Sequence, residues 1–339
     1  MPKDSGPRSG ALPRLWCPPL THYDVAGAID HARMEAHWGF MRRFIGGFLV
    51  PGSTGDAWEM TPSELDAVIT AALDRVATGG GELLLGALHP DAPATLAAIS
   101  SLLEILKRRT GRADPREAMA AAGVRAFTVC PPAGEDRTRE GIEAGLAAIL
   151  DLGVPVALYQ LPQVTRNEMS PGLVAGLAAQ YPNLILLKDS SGDDRVARSG
   201  PVGDLFMVRG AEGDYAGWLA EGGGPYHGLL LSTANCFPGQ LQAVIGHLEQ
   251  GRIAEARELS DRLSQVVAQV FDLVADLPEG NAFANANKAM DHFMAWGLKA
   301  SRAPAPRLHA GSEIPRKLLA RVAIILADAG FFPDQGYLG

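Results

Sequence analysis

Eight short apolar runs recur along the first two thirds of the chain, at residues 15–20, 47–51, 83–87, 126–130, 154–159, 184–188, 205–208 and 228–232, with segments rich in helix formers between them. Runs of branched apolar residues with no polar alternation read as strands buried on both faces, as in a parallel sheet. The intervening segments carry helix signals. Residues 138–152 put Ile142, Leu146, Ile149 and Leu150 on one face. Residues 62–78 follow a Thr61/Glu64 capping box, and residues 170–181 open on Ser170 and Pro171. Gly79-Gly80-Gly81 and Gly222-Gly223-Gly224 fall where helices should stop.

Eight strands, each followed by a helix, predict an α/β fold, a (β/α)8 barrel. A doubly wound open sheet is the runner-up, because strand count alone does not prove closure. Residues 104–121 are long and charged for one connection and predict an extended or broken helix on the outer surface. Beyond residue 237 the strand signals end. Residues 240–251, 254–277, 282–299 and 314–330 read as helices, with Ala303-Pro304-Ala305-Pro306 as a loop. The expected organisation is a loose tail over 1–12 without the apolar core of a signal peptide, a barrel over 13–236 and a helical C-terminal region over 237–339.

A formal net charge of −8 argues against nucleic acid or an anionic membrane as the main partner. No apolar span is long enough to suggest a transmembrane helix. Cys17, Cys130 and Cys236 are odd in number and far apart, which fits neither a disulfide framework nor a cysteine zinc site and suggests a reducing cytoplasm. The eight histidines are scattered, with no pair at zinc-ligand spacing on a recognisable helix, and no Walker-type loop is present.

In such a barrel the chemistry sits at the C-terminal strand ends. Strand six ends on Lys188, an anomaly in an apolar run. Desolvation disfavours an ammonium, and a neutral amine attacks carbonyls to form a Schiff base. Taken alone, snorkelling to solvent explains such a lysine better. Gly52-Ser53-Thr54-Gly55-Asp56 ends strand two. Its hydroxyls and amides suit a carboxylate or phosphate, although an ordinary βα turn has the same composition. Tyr159 ends strand five, where a phenol can pass protons but aromatic residues more often pack.

The combination says more than its parts. Gly52-Ser53-Thr54-Gly55-Asp56, Tyr159-x-x-Pro162 and Lys188-Asp189-Ser190-Ser191-Gly192-Asp193 follow strands two, five and six in that order, with Tyr159 and Lys188 29 residues apart. This resembles the dihydrodipicolinate synthase / N-acetylneuraminate lyase family of class I aldolases, from about residue 15 to residue 235. Ala122-Gly123-Val124, Gly210 and Thr233-Ala234-Asn235 echo it further. The resemblance implies that Lys188 forms a Schiff base with a 2-oxo acid, that Tyr159 relays protons, that Ser53 and Thr54 hold the carboxylate, and that Gly210 lines the pocket through its backbone. It implies no metal or organic cofactor, because the iminium is the electron sink, and a homotetramer built as a dimer of dimers.

Two positions depart from the family pattern. Cys130-Pro131-Pro132-Ala133 lacks the tyrosine that usually follows strand four. Val164 stands where dihydrodipicolinate synthases carry an arginine, with Arg166 two residues on. The expectation is therefore a lyase or aldolase that releases or condenses pyruvate with a less polar second substrate, rather than a typical dihydrodipicolinate synthase. A sugar-acid dehydratase using the same Schiff base and a non-catalytic small-acid-binding barrel are the alternatives.

Overall fold

A computed structural model describes residues 12–339. The eight apolar runs form parallel strands: β1 Leu15–Cys17, β2 Gly47–Val50, β3 Glu82–Gly86, β4 Val124–Val129, β5 Val156–Gln160, β6 Leu184–Asp189, β7 Phe206–Arg209 and β8 Gly228–Leu230. Each pairs with the next, and β8 pairs with β1 through Leu15↔Leu229 and Trp16↔Leu230. That last pairing closes the barrel and rules out the open sheet.

Strand parity decides what fills the barrel. Trp16, Leu49, Leu84, Ala126, Ala157, Leu186, Val208 and Leu230, one from each strand, form an interior cluster. The alternate residues pack outward in the larger core between strands and helices. Leu12, the last residue expected in the tail, is only 5% exposed and joins the interior cluster. The rest of the expected tail lies outside the described residues.

The helices around the barrel are α1 His31–Met41, α2 Pro62–Gly79, α3 Ala92–Thr110, α4 Pro115–Ala121, α5 Arg139–Leu150, α6 Pro162–Thr165, α7 Pro171–Gln180, α8 Arg195–Arg198 and α9 Pro238–Glu249. The Thr61/Glu64 capping box and the Ser170 cap are both formed. The long connection after β3 is a broken helix. Gly111, at φ +67°, ends α3, and the Asp114 carboxylate accepts from Glu117 N to start α4.

One expectation needs correction, because two crossovers are not full helices. After β6 only the four-residue α8 forms, bracketed by Gly192, Gly200 and Gly203, all at positive φ. After β7 the described chain coils through a single turn of 3-10 helix at Ala220–Gly222. A Cβ on Gly222 would lie 2.0 Å from Ala216 O, and one on Gly224 2.2 Å from the Trp218 backbone. These glycines permit a backbone-on-backbone fold that no helix provides.

α9 follows β8 and packs on both the turn after that strand and α10 Ile253–Val274, so barrel and C-terminal helices share it. The chain continues through α11 Ala282–Trp296, a 3-10 segment at Gly297–Arg302 and α12 Arg316–Asp328. α11 is buried from Ala284 to Ala295. It packs against the turns that follow β2 and β8, at the C-terminal mouth of the barrel. No helix among the described residues is long and apolar enough to cross a membrane.

Candidate active site

Register brings the two principal residues together. β5 and β6 align Tyr159 with Lys188, and both share parity with the interior residues Ala157 and Leu186. Both therefore point into the barrel at its C-terminal end. Lys188 is 4% exposed, and its Nζ lies 3.9 Å from the centroid of the Tyr159 ring. No ion pair engages Lys188 among the described residues.

Gly210, one residue past β7, stands against the lysine tail. A Cβ there would meet Lys188 Cε at 2.7 Å and Ser190 Oγ at 2.1 Å. Its own N–H donates to Asp189 O at 2.6 Å. Glycine is thus what lets β7 approach the lysine.

Ser53 and Thr54 are buried in a turn of 3-10 helix at Ser53–Gly55. Gly52 and Gly55 fit tight approaches there, since added Cβ atoms would lie 2.8 Å from Pro18 Cβ and 2.6 Å from Pro19 O. The Trp58 indole N–H donates to Ser53 Oγ at 2.9 Å. Trp58 also packs against a cluster of Ala57, Leu88, Cys130, Leu161 and Tyr159. Through Trp58 the hydroxyl turn is tied to the tyrosine wall of the mouth.

Electrostatic effects on nearby thiols point to the same neighbourhood. Burial pushes the Cys130 thiol up to about 12, and Lys188 acts in the opposite sense. Burial also raises the Cys17 thiol, with Glu212 adding to the effect and Lys188 opposing it. All three cysteines are free and buried.

Arg166 is 72% exposed on the surface, 3.6 Å from Glu135. Ala133 donates its backbone N–H to Pro90 O at 2.8 Å and brings no phenol.

Several contacts at or around the mouth had no role assigned from sequence. Glu212 accepts from Ser232 Oγ at 2.6 Å, Thr233 N at 3.1 Å and Tyr215 OH at 3.0 Å. Asp56 accepts from Lys288 Nζ at 2.8 Å and Tyr23 OH at 3.1 Å. Asn281 Nδ2 donates to Ser53 O at 3.2 Å. Lys288 stands in α11 among Asn285, Asn287, Asp291 and His292, so it carried no such anomaly as Lys188 in its apolar strand.

One group of described residues has metal-ligand spacing: His22, His37 and Asp291, whose ligand atoms lie within 4.8 Å of one another. Its atoms are committed elsewhere. The two imidazoles bond each other at 3.0 Å, His37 Nε2 donates to Asn235 O at 2.9 Å, and Arg33 and Tyr337 hold the Asp291 carboxylate. Burial pushes both histidines below their usual pKa. In this structure the group is a hydrogen-bonded clasp between the loop after β1, α1, α11 and the turn after β8.

Comparison with known proteins agrees with this architecture. The model of the dihydrodipicolinate synthetase family matches residues 115–281. A 4-hydroxy-tetrahydrodipicolinate synthase of Hyphomonas neptunium is 30% identical over 254 residues, covering 72% of this chain and 78% of that one. The 4-hydroxy-tetrahydrodipicolinate synthase 1 of Streptomyces coelicolor is 27% identical over 335 residues, covering 95% and 97%. Among solved structures, YagE of E. coli K12, a prophage protein of the dihydrodipicolinic acid synthase family in complex with pyruvate, superposes with a TM-score of 0.73 at 18% identity, covering 95% of this chain and all of that one (100%). The barrel and these relatives define a carbon–carbon lyase of the class I aldolase type. The chain belongs to the dihydrodipicolinate synthetase family.

Proposed function

We propose that Lys188 forms a Schiff base with a 2-oxo acid, pyruvate in the simplest case, and that the enzyme makes or cleaves a carbon–carbon bond at C3 of that acid. The observation that carries this reading is the contrast between two buried lysines. Lys288 is neutralised by Asp56, whereas Lys188 lies in the mouth against the Tyr159 ring with no carboxylate partner among the described residues. A buried lysine without a counter-ion costs the fold, and groups carrying such a cost cluster at functional sites.

The Lys188 amine adds to the C2 carbonyl, and the carbinolamine hydroxyl leaves as water with the Tyr159 proton. The iminium draws electrons from C3. The Tyr159 phenolate takes the proton of the C4 hydroxyl as the C3–C4 bond breaks, which releases an aldehyde and leaves an enamine. Tyr159 returns that proton to C3, water adds to C2 of the iminium and gives a proton to the Tyr159 phenolate, and the carbinolamine collapses with its hydroxyl proton passing to nitrogen, which frees pyruvate and the amine. Ser53 and Thr54 hold the carboxylate. Trp58 occupies a lone pair of Ser53 Oγ, which leaves the Ser53 O–H to be donated. The complex of YagE with pyruvate supports the choice of acid.

The second substrate is less polar than that of a dihydrodipicolinate synthase. Ala57, Trp58, Leu88, Cys130 and Leu161 make the wall around Tyr159 apolar, Ala133 brings no phenol, and Arg166 faces solvent. A homotetramer is part of the proposal, and light scattering tests it. The function is tested by incubating the protein with pyruvate and a panel of aldehydes, then reading products by mass spectrometry beside Lys188→Arg. New aldol products from apolar aldehydes, absent with K188R, are expected. Water loss without carbon–carbon bond change, or products that persist in K188R, would overturn the reading.

A further inference from the structure

The hydroxyl turn after β2 is held from a distance. Asp56 closes that turn at φ +64°, two residues from Thr54, and its N–H donates back to Ser53 O at 3.2 Å. A non-glycine residue in the left-handed region needs support from its surroundings. The Asp56 side chain supplies it, meeting Lys288 Nζ at 2.8 Å and Tyr23 OH at 3.1 Å. Asp56 is 2% and Lys288 1% exposed. Nζ also lies 4.6 Å from the Tyr23 ring centroid, a cation–π distance. A second tie from the same region is Asn281, which caps α11 and donates to Ser53 O. The turn is also tied to the loop after β1, where Thr21 Oγ1 donates to Gly55 O at 2.8 Å, and its remaining backbone bonds are local, from Gly55 N and Ala57 N to Gly52 O.

We propose that Lys288 is a positioning residue: through Asp56 it sets the orientation of Ser53 and Thr54, so that α11 of the C-terminal region governs how tightly the 2-oxo acid carboxylate is bound. This rests on the reading of Ser53 and Thr54 as the carboxylate clamp. Among the described residues the pair's hydrogen-bonding partner is Tyr23, and it makes no hydrogen bond or ion pair with Lys188, Tyr159 or Gly210. Its loss changes affinity for the acid and leaves the chemistry at the amine alone. Ion pairs of this kind specify geometry more than they stabilise, because desolvation offsets most of the attraction.

The test reads borohydride trapping of pyruvate as a function of pyruvate concentration. Lys288→Met alone strands a buried carboxylate and costs stability, so the informative variant is Asp56→Asn with Lys288→Met, which removes both charges together. We expect this double variant to melt close to the parent protein and to need about tenfold more pyruvate for half-maximal trapping. The trapping rate at saturation stays within threefold. A merely structural pair would not split the two quantities in this way. Half-saturation within twofold of the parent, or a fall confined to the limiting rate, overturns the proposal. Should the double variant not fold, Tyr23→Phe removes one donor to Asp56 and is expected to raise half-saturation two- to fivefold, and no change overturns the proposal. Absence of trapping in the parent protein overturns the Schiff-base reading itself, and this inference with it.

Discussion

Gly210→Ala isolates the fit between β7 and the Schiff-base lysine. The added Cβ would sit 2.7 Å from Lys188 Cε and 2.1 Å from Ser190 Oγ. Ser190 Oγ can rotate away, but Cε carries the reacting Nζ, so its retreat moves the amine itself. Carbon atoms pack at about 3.5–4.0 Å, so Cε must retreat by roughly 1 Å. A displacement of that size at a reacting group costs on the order of 100-fold in rate. The overpacking itself costs about 1–3 kcal/mol of stability. The assay is the rate of borohydride trapping with pyruvate, read beside a urea melt. The control is Gly176→Ala on the exposed face of α7, where a Cβ meets nothing within 4 Å and the change stabilises the helix by about 1 kcal/mol. A folded G210A protein that traps pyruvate within threefold of the parent would refute the argument that glycine is needed for the lysine's position.

Tyr159→Phe keeps the ring against Lys188 but removes the proton carrier. Turnover is expected to fall by about 10²–10⁴ with folding intact, and equal turnover would remove Tyr159 from the chemistry. Stability should also depend on acid pH through the buried histidines. His292, 2% exposed, donates to Ala300 O at 2.9 Å, and burial pushes its pKa down from 6.5 to about 4. The unfolded chain then takes the proton first as pH falls. The contribution is complete above about pH 6.5 and is lost as pH drops toward 4, to an extent on the order of 3 kcal/mol. The lowered pKa values of His22 and His37 act in the same direction. Urea melts at pH 7.5 and 5 should show this loss, with a smaller loss in His292→Gln. Equal stability at the two pH values would contradict it.

What could be read from the chain was what is encoded locally. The apolar runs became strands because burial on both faces demands apolar residues at every position. The capping box at Thr61 and Glu64 placed α2 to within a residue. Lys188 stood out because a cation at the end of an apolar strand needs a reason. Barrel closure was not legible, because it depends on β8 returning to β1. The missing helix after β7 goes with Gly222 and Gly224, whose close contacts emerge only when the chain is folded, and the short one after β6 is bracketed by glycines at positive φ. The support behind Asp56 was hidden for the same reason, since Lys288 lies 232 residues away in sequence. The C-terminal helical region, expected as an appendage, reaches the hydroxyl turn through Asn281 and Lys288.

The central claim is that Lys188, and no other amine of this chain, carries the substrate. The direct measurement is to reduce the protein with borohydride in the presence of pyruvate, digest it, and locate the adduct by peptide mass mapping. The account predicts one pyruvyl adduct, on Lys188, absent from Lys188→Arg. An adduct on Lys288 or on a surface lysine, or none with any 2-oxo acid, would contradict it.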